Sequence, residues 1–398
     1  MSLTNSETRY GAVAKTFHWS IALGILAMIP LGIVANDLPY DTAEQLARKA
    51  MLFSIHKTVG VILFALALLR ILWALSQPKP APLHPDRKLE TLAAEVAHWL
   101  LYGSLVLVPL SGWVHHAATT GFAPIWGIGQ DLPLVPKSEA LAGATAALHH
   151  VATYVLMGAL AAHVAGALKH HVIDRDATLR RMLPGRTQAG SPARHRGALA
   201  GLAGALVVWG GALGAGAALG VFAHDDRPAP AAALATVESD WQVQEGTLGL
   251  TVSQFGSAVT GSFADWTAQI AYQDSSGAGN KGSVTVTVSI PSLTLGSVTG
   301  QAMGPDFFAA EAHPTATFAA DILADESGAL RAEGTLTIKD QSMPVTLPFI
   351  LEVQEDRATM TGSLALDRRE FGIGGQMTDP AQLGFEVTVD VALTATRG

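Results

Sequence analysis

Five apolar stretches, at about residues 15–35, 51–75, 92–116, 145–170 and 198–223, are each long enough to cross a bilayer, which takes roughly 20 residues. Inside hydrocarbon every backbone N–H and C=O must be satisfied within the protein, so stretches of this length are confined to membrane helices. The whole chain fits that class: 49% of its 398 residues are hydrophobic and 15% are charged, too apolar a balance for an ordinary soluble protein. The first stretch is not followed by a small-residue processing site, so it is expected to stay in the protein and not to act as a cleaved signal.

Past about Glu238 the chain changes character. Alternating Val/Thr/Leu/Ile runs such as Ser283 to Ile290, Leu330 to Ile338 and Thr346 to Val353 are broken by turn signals at Ser276-Gly277, Asp325-Glu326-Ser327-Gly328 and Glu355-Asp356. Many short strands at this spacing predict an all-β sandwich or barrel. Charge divides at the same place: 18 basic and 13 acidic side chains lie before residue 232, and 7 and 20 after it. The reading is a membrane all-α part at residues 1–190, a fifth transmembrane helix at 191–224, a Pro/Ala-rich linker at 225–237 and an all-β antiparallel domain at 238–398.

The positive charges set a topology. Lys79, Arg87 and Lys88 lie between the second and third stretches, and Arg175, Arg180, Arg181, Arg186, Arg194 and Arg196 between the fourth and fifth. Loops enriched in this way face the cytoplasm. The N-terminus is therefore expected inside, and the β domain outside, in the periplasm of a bacterium. The fifth stretch pairs Gly197/Gly201, Gly210/Gly214 and Gly216/Gly220 at a spacing that suits close helix packing, within the chain or in a homo-oligomer, or else it is simply a tether.

Histidine is the informative residue type, with 13 of 14 in the membrane part. Ionisable residues inside a membrane are costly and usually functional. His149 and His163 are 14 residues apart in the fourth helix; at about 100° per residue they return to within about 40° of one face, about 21 Å apart along the axis, whereas His150 points about 140° away from His163. His18 opens the first helix at the depth of His163. His56 opens the second, running the other way, at the depth of His149. Two depth-matched pairs suit two bis-imidazole haem groups, His18 with His163 on the cytoplasmic side and His56 with His149 on the periplasmic side. Both axial positions are then filled, which fits electron transfer and leaves no iron position for dioxygen. The chain has no cysteine, so covalent c-type attachment, thiolate clusters and disulfides are excluded and the haems are of the b type.

The remaining basic residues have two readings each. His170, about 20° off the His163 stripe, and Lys169 either meet a quinone and relay its protons or are snorkelling residues that end a helix. Lys57 and Lys15 are candidate haem-propionate partners or topology anchors. His98 and the His115-His116 pair lack a phased partner and are assigned to supporting or interface positions.

These residues carry a resemblance to the bacterial cytochrome b561 family over about residues 7–185. Its marks are Phe17-His18-Trp19, Ile55-His56-Lys57, the His149 to His163 spacing, and Lys169-His170-His171 leading into Asp176-Ala177-Thr178-Leu179-Arg180-Arg181-Met182-Leu183-Pro184. The resemblance implies a four-helix, dihaem, quinone-linked redox protein with ligands at His18, His56, His149 and His163. After about residue 233 the chain resembles the YceI family through Ser239-Asp240-Trp241, Gly261-Ser262-Phe263, Asp306-Phe307-Phe308, His313-Pro314, Gly334-Thr335-Leu336-Thr337-Ile338, Met343-Pro344-Val345 and Arg368-Arg369-Glu370-Phe371-Gly372-Ile373-Gly374. That resemblance implies a lipocalin-like barrel around an isoprenoid chain, with Phe307 and Phe308 as candidate lipid contacts. Where the family usually has His-Ser before its second strand, this chain has Gly249-Leu250-Thr251, so a head-group contact there lacks its usual residues.

The function expected is a quinone-linked membrane oxidoreductase of the bacterial inner membrane, exchanging electrons with a small periplasmic partner such as superoxide. The alternative is an isoprenoid-lipid binding or delivery protein with a haem-containing anchor. A transporter is disfavoured, since four helices hold the histidines and no inverted repeat is visible.

Overall fold

The computed structural model describes residues 2–40, 42–119, 122–187, 189, 198–223, 234–235, 237–275, 277–296 and 298–398. Arg194, Arg196, Gly197, Ser276 and most of the expected 225–237 linker lie outside them. The chain forms two compact units, one of Met1–Asp37, Leu52–Ala118 and Ile125–His224, the other of Leu38–Met51, Thr119–Pro124 and Asp225–Gly398.

Five helices, α1 (Ala12–Asp37), α2 (Ala43–Leu75), α3 (Lys88–Ala118), α4 (Glu139–Val172) and α5 (Ala198–Ala218), account for the five apolar stretches. All are long and apolar enough to cross a membrane. The helices outrun the apolar windows because polar residues continue them: α2 begins eight residues before the window at 51, through Glu44, Gln45, Arg48 and Lys49. Ser138 caps α4, its hydroxyl accepting from the Leu141 N–H at 3.3 Å. Large apolar side chains such as Leu23, Leu26, Leu68, Leu72, Leu206 and Val207 are exposed, as lipid-facing positions require.

Small residues bring α3, α4 and α5 together. Ala152, Ala159 and Ala205 are buried around Leu100 and Trp209, and a Cβ on Gly201 of α5 would fall 2.5 Å from the Glu95 Cβ of α3. The Gly-rich helix therefore packs on its own chain along its first half. At the ends of the helices the N-terminal segment, the α2–α3 connection and the segment after α4 meet on one face. Trp19 Nε1 donates to the Met182 carbonyl at 2.8 Å, Ala81 N to the Glu7 carbonyl at 2.9 Å, and buried Arg181 to the Ala81 carbonyl at 2.9 Å.

The second unit is a ten-stranded antiparallel sheet curled on itself: β1 (Trp241–Gln254), β2 (Ser257–Phe263), β3 (Trp266–Tyr272), β4 (Gly279–Ser289), β5 (Leu293–Thr294), β6 (Thr315–Ala324), β7 (Leu330–Ile338), β8 (Gln341–Gln354), β9 (Arg357–Asp367) and β10 (Leu383–Arg397), in the order β3-β4-β6-β7-β8-β9-β10-β1-β2-β5. The residues of the Ser239-Asp240-Trp241 motif sit where β1 passes β3. The Ser239 hydroxyl accepts from the Ile270 N–H at 2.7 Å, and the Trp241 indole donates to the Tyr272 carbonyl at 3.3 Å. Two of the expected turns are in place: the Asp325 carboxylate accepts from the N–H groups of Ser327 and Ala329 between β6 and β7, and Glu355 adopts a φ of 54° between β8 and β9. Gly249-Leu250-Thr251 forms regular β1 ladder against β2 and β10, so the departure from the YceI pattern leaves the strand intact.

Candidate functional site

Each histidine of the expected pairs is placed by its helix. His18 on α1 and His163 on α4 have ring centroids 6.1 Å apart; His56 on α2 and His149 on α4 have theirs 6.4 Å apart. Two imidazoles on opposite sides of one metal ion, each bonded at about 2 Å, have centroids roughly 6 Å apart once the ring radii are added. Both pairs are therefore spaced as two histidines that would hold one haem iron between them. The interplanar angles of 56° and 75° are no obstacle, since rotation about the metal–nitrogen bond leaves the bond itself unchanged.

The His56/His149 pair is prepared further. Nδ1 of His149 lies 2.8 Å from the Val108 carbonyl, which can only accept, so Nδ1 carries the proton and Nε2 keeps its lone pair. Nδ1 of His56 is buried without a well-formed hydrogen bond. Glycines make room for both rings: a Cβ on Gly32 would come within 2.7 Å of His56, and one on Gly112 within 3.0 Å of His149. His150 is exposed and packs edge-on against the exposed Tyr154 ring at 4.9 Å, away from the paired histidines as its phase demanded.

Several residues lie where the sequence did not put them. His98, expected to lack a partner, has its ring 5.2 Å from that of His163, closer than His18 does. The reason is that phase within one helix cannot say which face of α3 turns to α4. Arg70 of α2, over the Tyr102 ring at 5.6 Å, is near enough to His18 and His163 to act on both electrostatically, and sequence reasoning passed over it. Glu95 of α3 is buried and ion-paired with Lys79 at 2.8 Å. Lys15 is buried too, and its ammonium donates to the carbonyls of Leu183 at 2.7 Å and Gly185 at 3.1 Å. Its head is held by main chain. His115 donates to the Ala142 carbonyl at 2.8 Å, an interface contact between α3 and α4.

In the last turn of α4, His170 and Lys169 belong to a polar cluster. Lys169 pairs with Glu90 at 2.7 Å and Asp174 at 2.9 Å, and Nδ1 of His170 lies 2.7 Å from Oδ2 of Asp176. The same oxygen is 3.0 Å from Nε2 of His84, a loop histidine with no sequence signal of its own. Partial burial works against ionisation of Asp176, yet hydrogen bonds from the Thr178 amide and hydroxyl and from His170 hold its pKa at about 2. It is a carboxylate at any physiological pH.

In the second unit, the curled sheet encloses a cavity of about 300 Å³ whose walls are almost wholly apolar. Phe307 and Phe308 line it with Val286, Phe318, Leu347 and Val389. The interior is not filled by its own side chains. Arg368 also borders it, but its guanidinium is taken up by the carbonyls of Ile373, Gly374, Met377, Leu383 and Gly384 and presents no free charge.

Comparison with known proteins places the helical part. Residues 9–185 match the family model for prokaryotic cytochrome b561. Cytochrome b561 homolog 2 of Escherichia coli K12 is 34% identical over 187 residues, 46% of this chain and 95% of that protein. The chain belongs to the prokaryotic cytochrome b561 family. Another relative, the probable superoxide oxidase CybB of Yersinia pestis, is 26% identical over 177 residues, 44% of this chain and 96% of its own length. Residues 240–395 match the YceI-like domain. BcnA of Burkholderia cenocepacia is 28% identical in its crystal structure, with 39% of this chain and all of that chain covered at a TM-score of 0.37. This cytochrome b561 is thus a membrane electron-transfer protein with haem b as its cofactor and a YceI-like domain at its C-terminal end.

Proposed function

We propose that this cytochrome b561 is a quinone-linked oxidoreductase with two haem b per chain, held by His18/His163 and His56/His149. It exchanges single electrons between the quinone pool and a small partner on the periplasmic side. The observation that carries the reading is the pair of histidine contacts at 6.1 Å and 6.4 Å, each spaced as two imidazoles that would hold one iron between them. When bound, haem supplies reversible one-electron chemistry. The residues supply the rest. Val108 fixes the His149 tautomer, Lys57 and Arg70 offer positive charge to the propionates, and His170, whose Nδ1–H is held by the Asp176 carboxylate, offers Nε2 as acceptor to a quinol hydroxyl at the cytoplasmic face. The positive-inside loops support a cytoplasmic N-terminus and a periplasmic YceI-like domain. Superoxide is the favoured periplasmic partner, in line with the name of the Yersinia pestis relative.

The cavity favours a second role in the same protein. Its apolar lining suits an isoprenoid tail, each Å² buried contributing about 25 cal/mol, so the YceI-like domain holds an isoprenoid quinone or similar lipid. The test is a haem count with a reduced-minus-oxidised spectrum, followed by reoxidation with a soluble quinone analogue. Two haems per chain and rapid reoxidation are expected; one haem, or reduced haems indifferent to quinone, would overturn the reading.

A further inference from the structure

We infer that His84, His170 and Asp176 form a binding site for a divalent transition-metal ion of the zinc type, joining the α2–α3 connection to the segment after α4. Nε2 of His84 and Nδ1 of His170 approach the same oxygen, Oδ2 of Asp176, at 3.0 Å and 2.7 Å. The three candidate ligand atoms all lie within 4.8 Å of one another. A tetrahedral ion bonded at about 2.0 to 2.2 Å keeps its ligands roughly 3.3 Å apart, so small side-chain adjustments seat it.

The carboxylate is already aimed. Its other oxygen, Oδ1, accepts from the Thr178 N–H at 2.7 Å, which turns Oδ2 toward the two rings. Nearby fixed cations are engaged elsewhere: Lys169 and Arg87 pair with Asp174 at 2.9 Å and 3.1 Å and with Glu90 at 2.7 Å and 3.4 Å. Oδ2 of Asp176 is left to imidazole. Each ring exchanges its hydrogen bond for a metal bond by carrying its proton on the other nitrogen. Two imidazoles and one carboxylate suit zinc and its neighbours, whereas calcium and magnesium demand oxygen ligands. The fourth position falls to water or to Asp174, whose Oδ2 is 3.1 Å from Nδ1 of His170.

Metal on Nδ1 would leave His170 with an Nε2–H donor, the form that hydrogen-bonds a quinone carbonyl. This consequence, unlike the site itself, rests on the quinone role proposed above for His170.

Untagged, haem-loaded, full-length protein stripped with a chelator and dialysed against zinc alone tests the site. One zinc per chain at micromolar free metal is expected, with an N/O-only shell containing imidazole by X-ray absorption. His84→Ala and Asp176→Asn should each weaken binding at least about tenfold, with haem content unchanged as the check on folding. His171→Ala, at an exposed neighbour, should bind as the wild type does. Wild type that retains no zinc, or His84→Ala and Asp176→Asn binding as tightly as wild type, would overturn the site. Zinc bound as expected with quinone reoxidation unchanged supports the metal site and removes His170 from the quinone reading.

Discussion

The ring of His149 on α4 donates through Nδ1 to the main-chain carbonyl of Val108 on α3, at 2.8 Å. A backbone acceptor cannot be deleted by a side-chain substitution, so the tautomer that leaves Nε2 available is built into the helix pair itself.

The glycines beside His56 and His149 give the first expectation. Gly112→Ala and Gly32→Ala each place a methyl within 3.0 Å and 2.7 Å of the His149 and His56 rings. Overpacking of this kind costs about 1–3 kcal/mol. Both variants should broaden or shift the α-band of one haem and leave the other unchanged. Equal disturbance of both haems would mean that the rings do not serve separate centres.

Single substitutions test the pairing. His18→Ala and His163→Ala should remove the same haem, and His56→Ala and His149→Ala the other, while His150→Ala keeps both. Spectra of the four variants must fall into two matching sets; four distinct spectra, or His18 matching His149, would contradict it. His98→Ala is the informative fifth variant, since its ring lies 5.2 Å from His163. A shifted potential with haem retained marks it as a support for that ligand.

The helices and their histidine pairs were legible because a membrane span has a fixed length and a fixed angular step. His149 and His163 could be placed on one stripe from their spacing alone. His98, Arg70 and His84 could not, because their partners are set by how helices rotate against one another and by where a loop folds back. In the β unit the turn chemistry at Asp325 and Glu355 was readable locally. The ten-strand order was not, since the pairing of β1 with β10 joins residues at opposite ends of the domain. Lys15 shows a further limit: the carbonyls of Leu183 and Gly185 that hold its ammonium lie far along the chain, where sequence spacing could not place them.

Filling the cavity tests the lipid role. Ala332 is buried on β7 with its side chain in the cavity wall. Ala332→Phe should leave the strands intact and make bound isoprenoid lipid substoichiometric when full-length protein is extracted for mass spectrometry. Unchanged lipid content would place the lipid elsewhere.

Asp176 sets a pH dependence. Its pKa falls from an ordinary 3.8 to about 2 in the folded chain, so its contribution to stability is complete above the unfolded value and is lost as pH falls through the folded one. The gap in thermal stability between wild type and Asp176→Asn should therefore narrow from about pH 4 towards pH 2. A gap already closed at pH 5 would show that the carboxylate is not held as described.

Gly201 of α5 lies over Glu95, whose buried carboxylate pairs with Lys79, and Trp209 of the same helix fills a space walled by Leu100 and Ala152. A truncation ending near residue 190 would strip the roof from an ion pair and leave an indole-sized hole in the bundle, whereas one ending near residue 223 would keep both covered. The fifth helix thus belongs to the redox module as masonry, and a shortened protein for spectroscopy should be cut on its far side.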